Sequence, residues 1–314
     1  MFVSARKLLI TGAAGFTGRH AASFFAAEGA EVTAVLRGPE PQGGRVSPFP
    51  PGVRVMFCDL RNREAVLKLM SDAAPDEVLH LAGRNSVPES WERPTQVLEA
   101  NVMATANVLE ALCKRPSVPV LVAGSLLKFR PENGEQPQHP YSLSKTLEEW
   151  VALAWSRLFR QRVLVAEPCN LIGPGPSTGF CSLLAGHIAA CERGDTPSPF
   201  RLSSSQDRRD FLDVRDAVRA YDSILRQGEP GRVYRVDTGR FRTLGEVASR
   251  LLAMTSAQVP IDWGATAAPA PPAGQGDADH AHASGLGWCP DINLDRSLRD
   301  ILEYCRSSGK GDSL

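Results

Sequence analysis

Close to its start the chain reads Lys7-Leu-Leu-Ile-Thr-Gly12-Ala-Ala-Gly15-Phe-Thr-Gly18. The apolar run Leu8 to Ile10 suits a parallel strand buried on both faces. It breaks into three glycines, and an Ala-rich segment that reads as a helix continues to Ala27. Strand, tight turn and helix N-terminus in that order commit the chain to an α/β architecture. Each glycine stands where a side chain would obstruct. Gly12 turns the chain at φ values other residues avoid. Gly15 lets a pyrophosphate reach the backbone, where free N–H groups and the helix dipole favour negative charge. Gly18 lets the helix pack close to the strand. A turn that binds nothing would use the same residues, and the spacing is one residue longer than the common dinucleotide fingerprint. The strand before, the helix after and the alternating elements that follow favour the dinucleotide reading.

The alternation continues. Glu31 to Leu36 is the second strand, and it ends at Arg37. An acidic residue here would hold a ribose 2′-hydroxyl, whereas an arginine accommodates a 2′-phosphate. Arg37 therefore favours NADP(H), with NAD(H) the lesser option; the alternative is a solvated arginine before a loop containing Pro39, Pro41, Gly43 and Gly44. Val53 to Cys58 is the third strand. Asp59 after it either accepts from an adenine amino group or caps the helix beginning near Arg61. Asp76 to Leu81 is the fourth strand, and Ala82-Gly83 let the backbone pass close to a dinucleotide. His80 reads as a core histidine. A long helix over about Thr95 to Lys114 carries Asn101 in its apolar stripe, either a satisfied amide or part of a site. Val118 to Ala123 is the fifth strand and leads to Gly124-Ser125; Arg162 to Glu167 is the sixth.

Tyr141 and Lys145 open a helix reaching about Phe159, four residues apart and so on one face. An ammonium there stabilises a phenolate and makes the phenol a usable proton donor and acceptor. Ser125, at a strand's carboxyl end, is placed to hydrogen-bond the same substrate oxygen, because ligands of such sheets bind there. Most Tyr-x-x-x-Lys pairs are surface pairs; this one follows a fifth strand and a glycine loop.

Beyond Glu167 the periodicity is less regular, which predicts a second, smaller lobe. Residues 1–168 are read as the dinucleotide domain, with elements at about 209–240 returning to it, and residues 169–314 as mainly the substrate lobe. Arg209 is a candidate for a substrate phosphate, against a surface ion pair with Asp210 or Asp213. Thr243 to Ala253 and Leu294 to Cys305 read as helices, and Ser307 to Leu314 as frayed. Ala265 to Ala283 reads as a loop, and its Asp277-Ala-Asp279-His280-Ala-His282 as solvated rather than a metal site. The formal net charge is zero across 314 residues, which leaves no electrostatic footprint for nucleic acid or a membrane surface. No apolar run approaches the ~20 residues of a membrane span. The seven cysteines include no Cys-x-x-Cys pair and are read as reduced thiols of a cytoplasmic protein.

By these motifs the chain resembles the extended short-chain dehydrogenase/reductases, in their nucleotide-sugar-modifying branch. The resemblance rests on Thr11 to Gly18, Asp59-Leu60, His80-Leu81-Ala82-Gly83, Ser125, Tyr141-x-x-x-Lys145, Pro168-x-Asn170 and Gly173-Pro174. It continues through Arg209-Asp-Phe-Leu-Asp-Val-Arg-Asp216 and Leu286-Gly-Trp288. Ser86 to Trp91 and Arg209 to Tyr221 look most like the GDP-4-keto-6-deoxymannose reductase subfamily.

The resemblance implies a Rossmann-type doubly wound parallel sheet with a smaller C-terminal substrate lobe. It also implies a homodimer built on the helices at Thr95 to Lys114 and Tyr141 to Phe159. It makes Tyr141 the acid/base, Lys145 the partner of the nicotinamide ribose, and Ser125 the group that polarises the reacting oxygen. It places Gly12, Gly15, Phe16, Thr17, Gly18, Arg37, Asp59, Leu60, Leu81, Ala82, Gly83 and Pro168 at the cofactor. It places Ser86, Asn170 and Arg209 at a nucleotide-diphosphate sugar.

Dehydratases of the branch carry an Asp-Glu pair after the serine, and here stand Leu126 and Leu127, which transfer no proton. The expectation is a ketoreductase that passes hydride from NADPH to C4 of an NDP-4-keto-6-deoxyhexose. The alternatives are an NAD-dependent 4-epimerase of a UDP-sugar and a non-catalytic dinucleotide sensor. Two departures bear on the substrate. Phe129-Arg130 replaces the usual Tyr-Gly, and no Arg-Pro element accompanies Pro269, Pro271 and Pro272.

Overall fold

Leu8, Leu9 and Ile10, Val120 to Val122 and Val163 to Ala166 are sealed from solvent in the computed structural model, as continuous apolar strands of a covered parallel sheet must be. The structure describes residues 5–38, 47–195, 198–264 and 281–308. The loop prolines and glycines at 39–44, the Pro-rich stretch from 265 and most of the Asp277–His282 group lie outside them; at the described end of the stretch read as a loop, Ala281 and His282 instead form a strand, drawn in by backbone pairing with Tyr234 and Arg235.

The chain begins β1 (Lys7–Thr11), α1 (Phe16–Ala27), β2 (Glu31–Leu36), β3 (Arg54–Phe57), α2 (Arg63–Ala73) and β4 (Glu77–His80). There follow α3 (Val87–Glu92), α4 (Pro94–Leu98), a π-helical turn (Glu99–Met103), α5 (Ala104–Ala111), β5 (Val120–Ala123), α6 (Pro140–Leu158) and β6 (Val163–Pro168). Next come β7 (Asn170–Ile172), α7 (Phe180–Glu192), β8 (Phe200–Arg201), β9 (Arg208–Asp213), α8 (Val214–Gln227) and β10 (Val233–Val236). The described chain ends with β11 (Phe241–Thr243), α9 (Leu244–Leu252), β12 (Ile261–Asp262), β13 (Ala281–His282) and α10 (Leu294–Ser308).

Two compact units divide these elements. The first takes residues 1–168, 218–236 and 279–288. Its parallel sheet runs β13-β10-β6-β5-β4-β1-β2-β3. This is the doubly wound Rossmann-type order, and it reverses between β1 and β4, where ligands of such sheets bind. The return to this unit is narrower than the expected 209–240 and includes a later piece. Residues 209–217 belong to the second unit because β9 pairs with β7 and β11, not with the main sheet.

The second unit holds a three-stranded sheet, β11-β9-β7, and a two-stranded one, β12-β8. Helices α7, α9 and α10 pack on one another over Leu184, Ile188, Val247, Leu251, Leu298 and Ile301, all buried. The expected helix over Thr95 to Lys114 is not one regular helix. It starts at Pro94 and widens into the π-helical turn at Asn101. Ser307 and Ser308 complete the last turn of α10 rather than fraying.

Candidate active site

The switch point of the first unit is closed by backbone. Gly12 has φ +66°, and a Cβ there would lie 2.7 Å from the Ala82 nitrogen; a Cβ on Gly18 would lie 2.6 Å from Ala13 Cα. Only glycine permits this left-handed turn and this packing of helix onto turn. Gly15 is exposed, and it caps α1 without a side chain. The first-turn N–H groups around Phe16 and Thr17 therefore face a cradle that a Cβ would narrow, which fits the pyrophosphate of a dinucleotide.

Leu81, Ala82 and Gly83 continue from β4. Gly83 is backed by Asn101, whose Oδ1 a Cβ there would meet at 3.0 Å. Asn101 is the satisfied amide of the two readings. It accepts from the Arg84 N–H at 2.7 Å and donates to the Arg84 carbonyl at 3.0 Å and to Ser144 at 2.9 Å.

Arg37 stands exposed directly after β2. Asp59 does not cap α2; Asn62 does, accepting from the Ala65 N–H at 3.1 Å. Asp59 is instead gripped by Arg61 at 2.7 Å, and that hydrogen bond holds its carboxyl below the ordinary range. Leu60 beside it is buried. Ser86 is the cap of α3, accepting from the Glu89 N–H at 3.2 Å.

Around β5 the candidate acid/base groups converge. Lys145, on α6, donates to the carbonyl of Ala123, the last residue of β5, at 2.7 Å. Ser125 lies two residues further on, buried, its Oγ accepting from the Leu127 N–H at 3.1 Å. The Ser125 loop is fastened to α6 by Thr146, which accepts from the Phe129 N–H at 3.1 Å and donates to its carbonyl at 2.8 Å. Tyr141 is buried in the first turn of α6. Its ring stacks at 5.9 Å on His139, which caps the helix by accepting from the Ser142 N–H at 2.9 Å.

Lys145 is buried too. Desolvation pushes its ammonium down, but Glu148 and Tyr141 outweigh it and the group ends above its ordinary value. His80 is a core histidine, bonded through Nδ1 to Thr11 at 2.7 Å and through Nε2 to Thr105 at 2.9 Å. Burial, reinforced by Lys145, holds it down at about 3 and therefore neutral.

In the second unit, Asn170 donates to the Asp210 carbonyl at 3.1 Å, beside Arg209 on the neighbouring strand. Arg209 pairs with neither Asp210 nor Asp213. Its guanidinium reaches Asp207 at 3.4 Å and the Arg208 carbonyl at 2.9 Å. Asp210 is taken up by the N–H groups of Thr238 and Gly239, both at 2.9 Å, and Asp213 by Arg215 at 2.7 Å. Arg242 stands opposite Arg209 in the antiparallel register of β11 and β9. Sequence reading missed this pairing, because the two lie far apart in the chain. It also missed Glu148, which no motif singles out. Among the described residues no three His, Cys, Asp or Glu side chains gather as a metal site.

Comparison with known proteins finds one family. The profile of the NAD dependent epimerase/dehydratase family matches residues 8–237. A GDP-6-deoxy-D-mannose reductase of Pseudomonas aeruginosa is 32% identical over 312 residues, covering 95% of this chain and 96% of its own. A UDP-glucose 4-epimerase of Azospirillum brasilense is 25% identical, over 96% and 92% of the two chains. Among solved structures, RMD from Pseudomonas aeruginosa complexed with NADPH superposes with a TM-score of 0.74 at 28% identity, over 95% and 99% of the two chains.

Proposed function

This chain belongs to the NAD dependent epimerase/dehydratase family, and within it we propose a nucleotide-sugar 4-ketoreductase that acts on an NDP-4-keto-6-deoxyhexose of the GDP-4-keto-6-deoxymannose type. The observation that carries the choice is the near-full-length likeness to a GDP-6-deoxy-D-mannose reductase. Leu126 and Leu127 support it, since neither can serve the proton transfers of an elimination.

Gly12, Gly15, Phe16, Thr17 and Gly18 hold the pyrophosphate of NADP(H), and Arg37 its 2′-phosphate. Leu60, Leu81, Ala82, Gly83 and Pro168 line the cofactor, Asp59 lies at its adenine end, and Lys145 holds the nicotinamide ribose. When bound, the reduced nicotinamide supplies the hydride. Ser125 polarises the C4 carbonyl by hydrogen bonding, and Tyr141 delivers the proton to the developing alkoxide. Lys145 keeps positive charge beside the phenol, so that losing the proton is tolerated. Asn170, Arg209 and Ser86 bind the nucleotide sugar, with Arg209 and the facing Arg242 at its diphosphate.

The working form is a cytoplasmic homodimer. Trp91, Met103, Trp150 and Leu158 are exposed on helices that pack side by side in the first unit, an apolar face suited to a second copy. Substitution of Trp150 by Glu is expected to yield monomers on gel filtration.

The test of the activity follows nicotinamide absorbance on mixing the protein with NADPH or NADH and GDP- or dTDP-4-keto-6-deoxyhexose. Fast oxidation of NADPH with the GDP sugar is expected, and slower oxidation of NADH. No oxidation with either cofactor, by folded protein and verified substrates, refutes the ketoreductase. Tightly bound NAD and interconversion of UDP-sugars would then identify a 4-epimerase.

A further inference from the structure

Helix α6 is inside out at its centre. Trp150 is half exposed, while the two carboxylates before it, Glu148 and Glu149, are buried. A buried carboxylate is tolerated only when paired and hydrogen-bonded, so the partners indicate what each is for. Glu149 is held by Lys128 at 2.5 and 2.6 Å. Glu167 lies 3.0 Å from Lys128 and 3.5 Å from Arg130. Lys128, Arg130, Glu149 and Glu167 thus form one buried ionic cluster.

Glu148 is different. Its cationic partner is Lys145, in direct contact through Oε2, and its Oε1 accepts from the Thr105 hydroxyl at 2.9 Å. Behind Thr105 the line continues through neutral His80 to Thr11, which accepts from the Ala82 N–H at 3.2 Å. A chain of hydrogen bonds thus runs from the cofactor cradle at Ala82 to Lys145. Its one full negative charge is placed at the lysine end.

We propose that Glu148 is a positioning residue, which fixes the Lys145 ammonium against the Ala123 carbonyl and cancels part of the positive charge Lys145 presents to Tyr141. The proposal rests on the acid/base role given to Tyr141 above. Among the described residues the following groups face Lys145. From α6 they are Tyr141, Glu148 and, further off, Glu149. From β4 there is neutral His80, and from β5 the Ala123 carbonyl. Glu148 is therefore the charge that determines how much of the ammonium's field is left for the phenol. Burial pushes its own carboxyl up and outweighs Lys145 and Thr105, so it ends above the ordinary range; the ammonium in direct contact and the Thr105 hydroxyl at 2.9 Å are the surroundings of an ionised carboxylate.

Glu148→Gln tests this with little disturbance. The glutamine carbonyl can accept from Lys145, and its amide can donate to Thr105, whose proton then goes to the Asn101 carbonyl 2.6 Å away. Only the charge is lost. Ketoreduction needs Tyr141 protonated, and an uncompensated ammonium favours the phenolate. The basic limb of the kcat/KM–pH profile is therefore expected to move to lower pH by about one unit.

A second readout needs no substrate. The chain has four tyrosines, so the ultraviolet phenolate titration minus that of a Tyr141→Phe protein isolates Tyr141, and it should move the same way. Glu148→Asp, which retains the charge one methylene further away, should fall between wild type and Glu148→Gln. An unmoved limb and an unmoved titration, in variants that melt and bind NADPH like the wild type, overturn the proposal. If Glu148→Gln does not fold, Glu148→Asp decides alone: a smaller shift of the same sign supports the proposal, and no shift overturns it. A shifted titration in a protein that reduces no 4-keto sugar would remove the proposed activity and leave Glu148 its role.

Discussion

Lys145 and Arg209 are both cations placed near strand ends, and they are treated in opposite ways. Lys145 is buried, with a carboxylate in contact and a carbonyl at 2.7 Å. Arg209 is 40% exposed, reaches one aspartate only at 3.4 Å, and faces another arginine across the ladder. Like charges directly opposite on a sheet are unfavourable. The first cation is closed in by protein partners, as the proposed proton transfer asks. The second is left half open, as the proposed diphosphate contact asks. In the proposed reading closed charge serves chemistry and open charge serves recognition.

The strongest challenge to that contrast is Tyr141→Phe. Removing the proton donor from the closed cluster should lower kcat by about 10²–10⁴-fold while NADPH binding, read by fluorescence titration, stays as in wild type. Turnover near the wild-type value would show that the cluster controls no proton.

His80 comes next. The folded protein holds it neutral, down at about 3, whereas the unfolded imidazole takes its proton near 6.5. Stability rises with pH wherever the unfolded chain binds more protons. The contribution is therefore full above pH 6.5 and is lost as pH falls from there toward 3, by as much as about 4 kcal/mol. Thermal melts across this range should show the decline in wild type and a flatter one in His80→Gln. Parallel curves would show that the closed network does not depend on the neutral imidazole.

Smaller effects belong to the open cations. Arg209→Gln and Arg242→Gln should each raise KM for the nucleotide sugar with kcat little changed, since a charge-assisted hydrogen bond is worth about 1.5–3 kcal/mol. Equal losses in kcat would move these arginines from recognition to chemistry. Arg37→Ala should be mildest, weakening NADPH by about tenfold and NADH hardly at all, in parallel cofactor titrations. Equal weakening of both would remove the 2′-phosphate role.

What the sequence disclosed follows the same division. The glycine turn, the apolar strands and the Tyr141–Lys145 spacing are local signals, and β1 to β6, α1 and α6 fall within a residue or a few of where those signals put them. Asn101 was visible as an intrusion, but its meaning was not. The π-helical turn around it depends on Arg84 and Ser144, which no periodicity connects to it. No motif singled out Glu148-Glu149-Trp150, where the structure buries both carboxylates and exposes the indole. The partners from elsewhere that allow this, Thr105 and Lys128, come from two other segments. In the second unit α7 and the short strands β7, β8, β11 and β12 gave no clear signal. Strands of two or three residues are too short for alternation to register.

The interleaving of the two units also bears on how this protein can be made. The first unit draws its last strands, β10 and β13, from chain that follows long passages of the second. During synthesis β6 therefore waits for residues 233–236, about seventy positions on, before its outer edge is paired. A polypeptide halted at Pro168 keeps the whole glycine turn and both Tyr141 and Lys145, yet exposes β6 as an apolar edge ready to join another chain. Cutting the gene at the apparent domain boundary should yield aggregates rather than a dinucleotide-binding fragment. A fragment intended to bind the cofactor has to carry residues 218–236 and 279–288 as well.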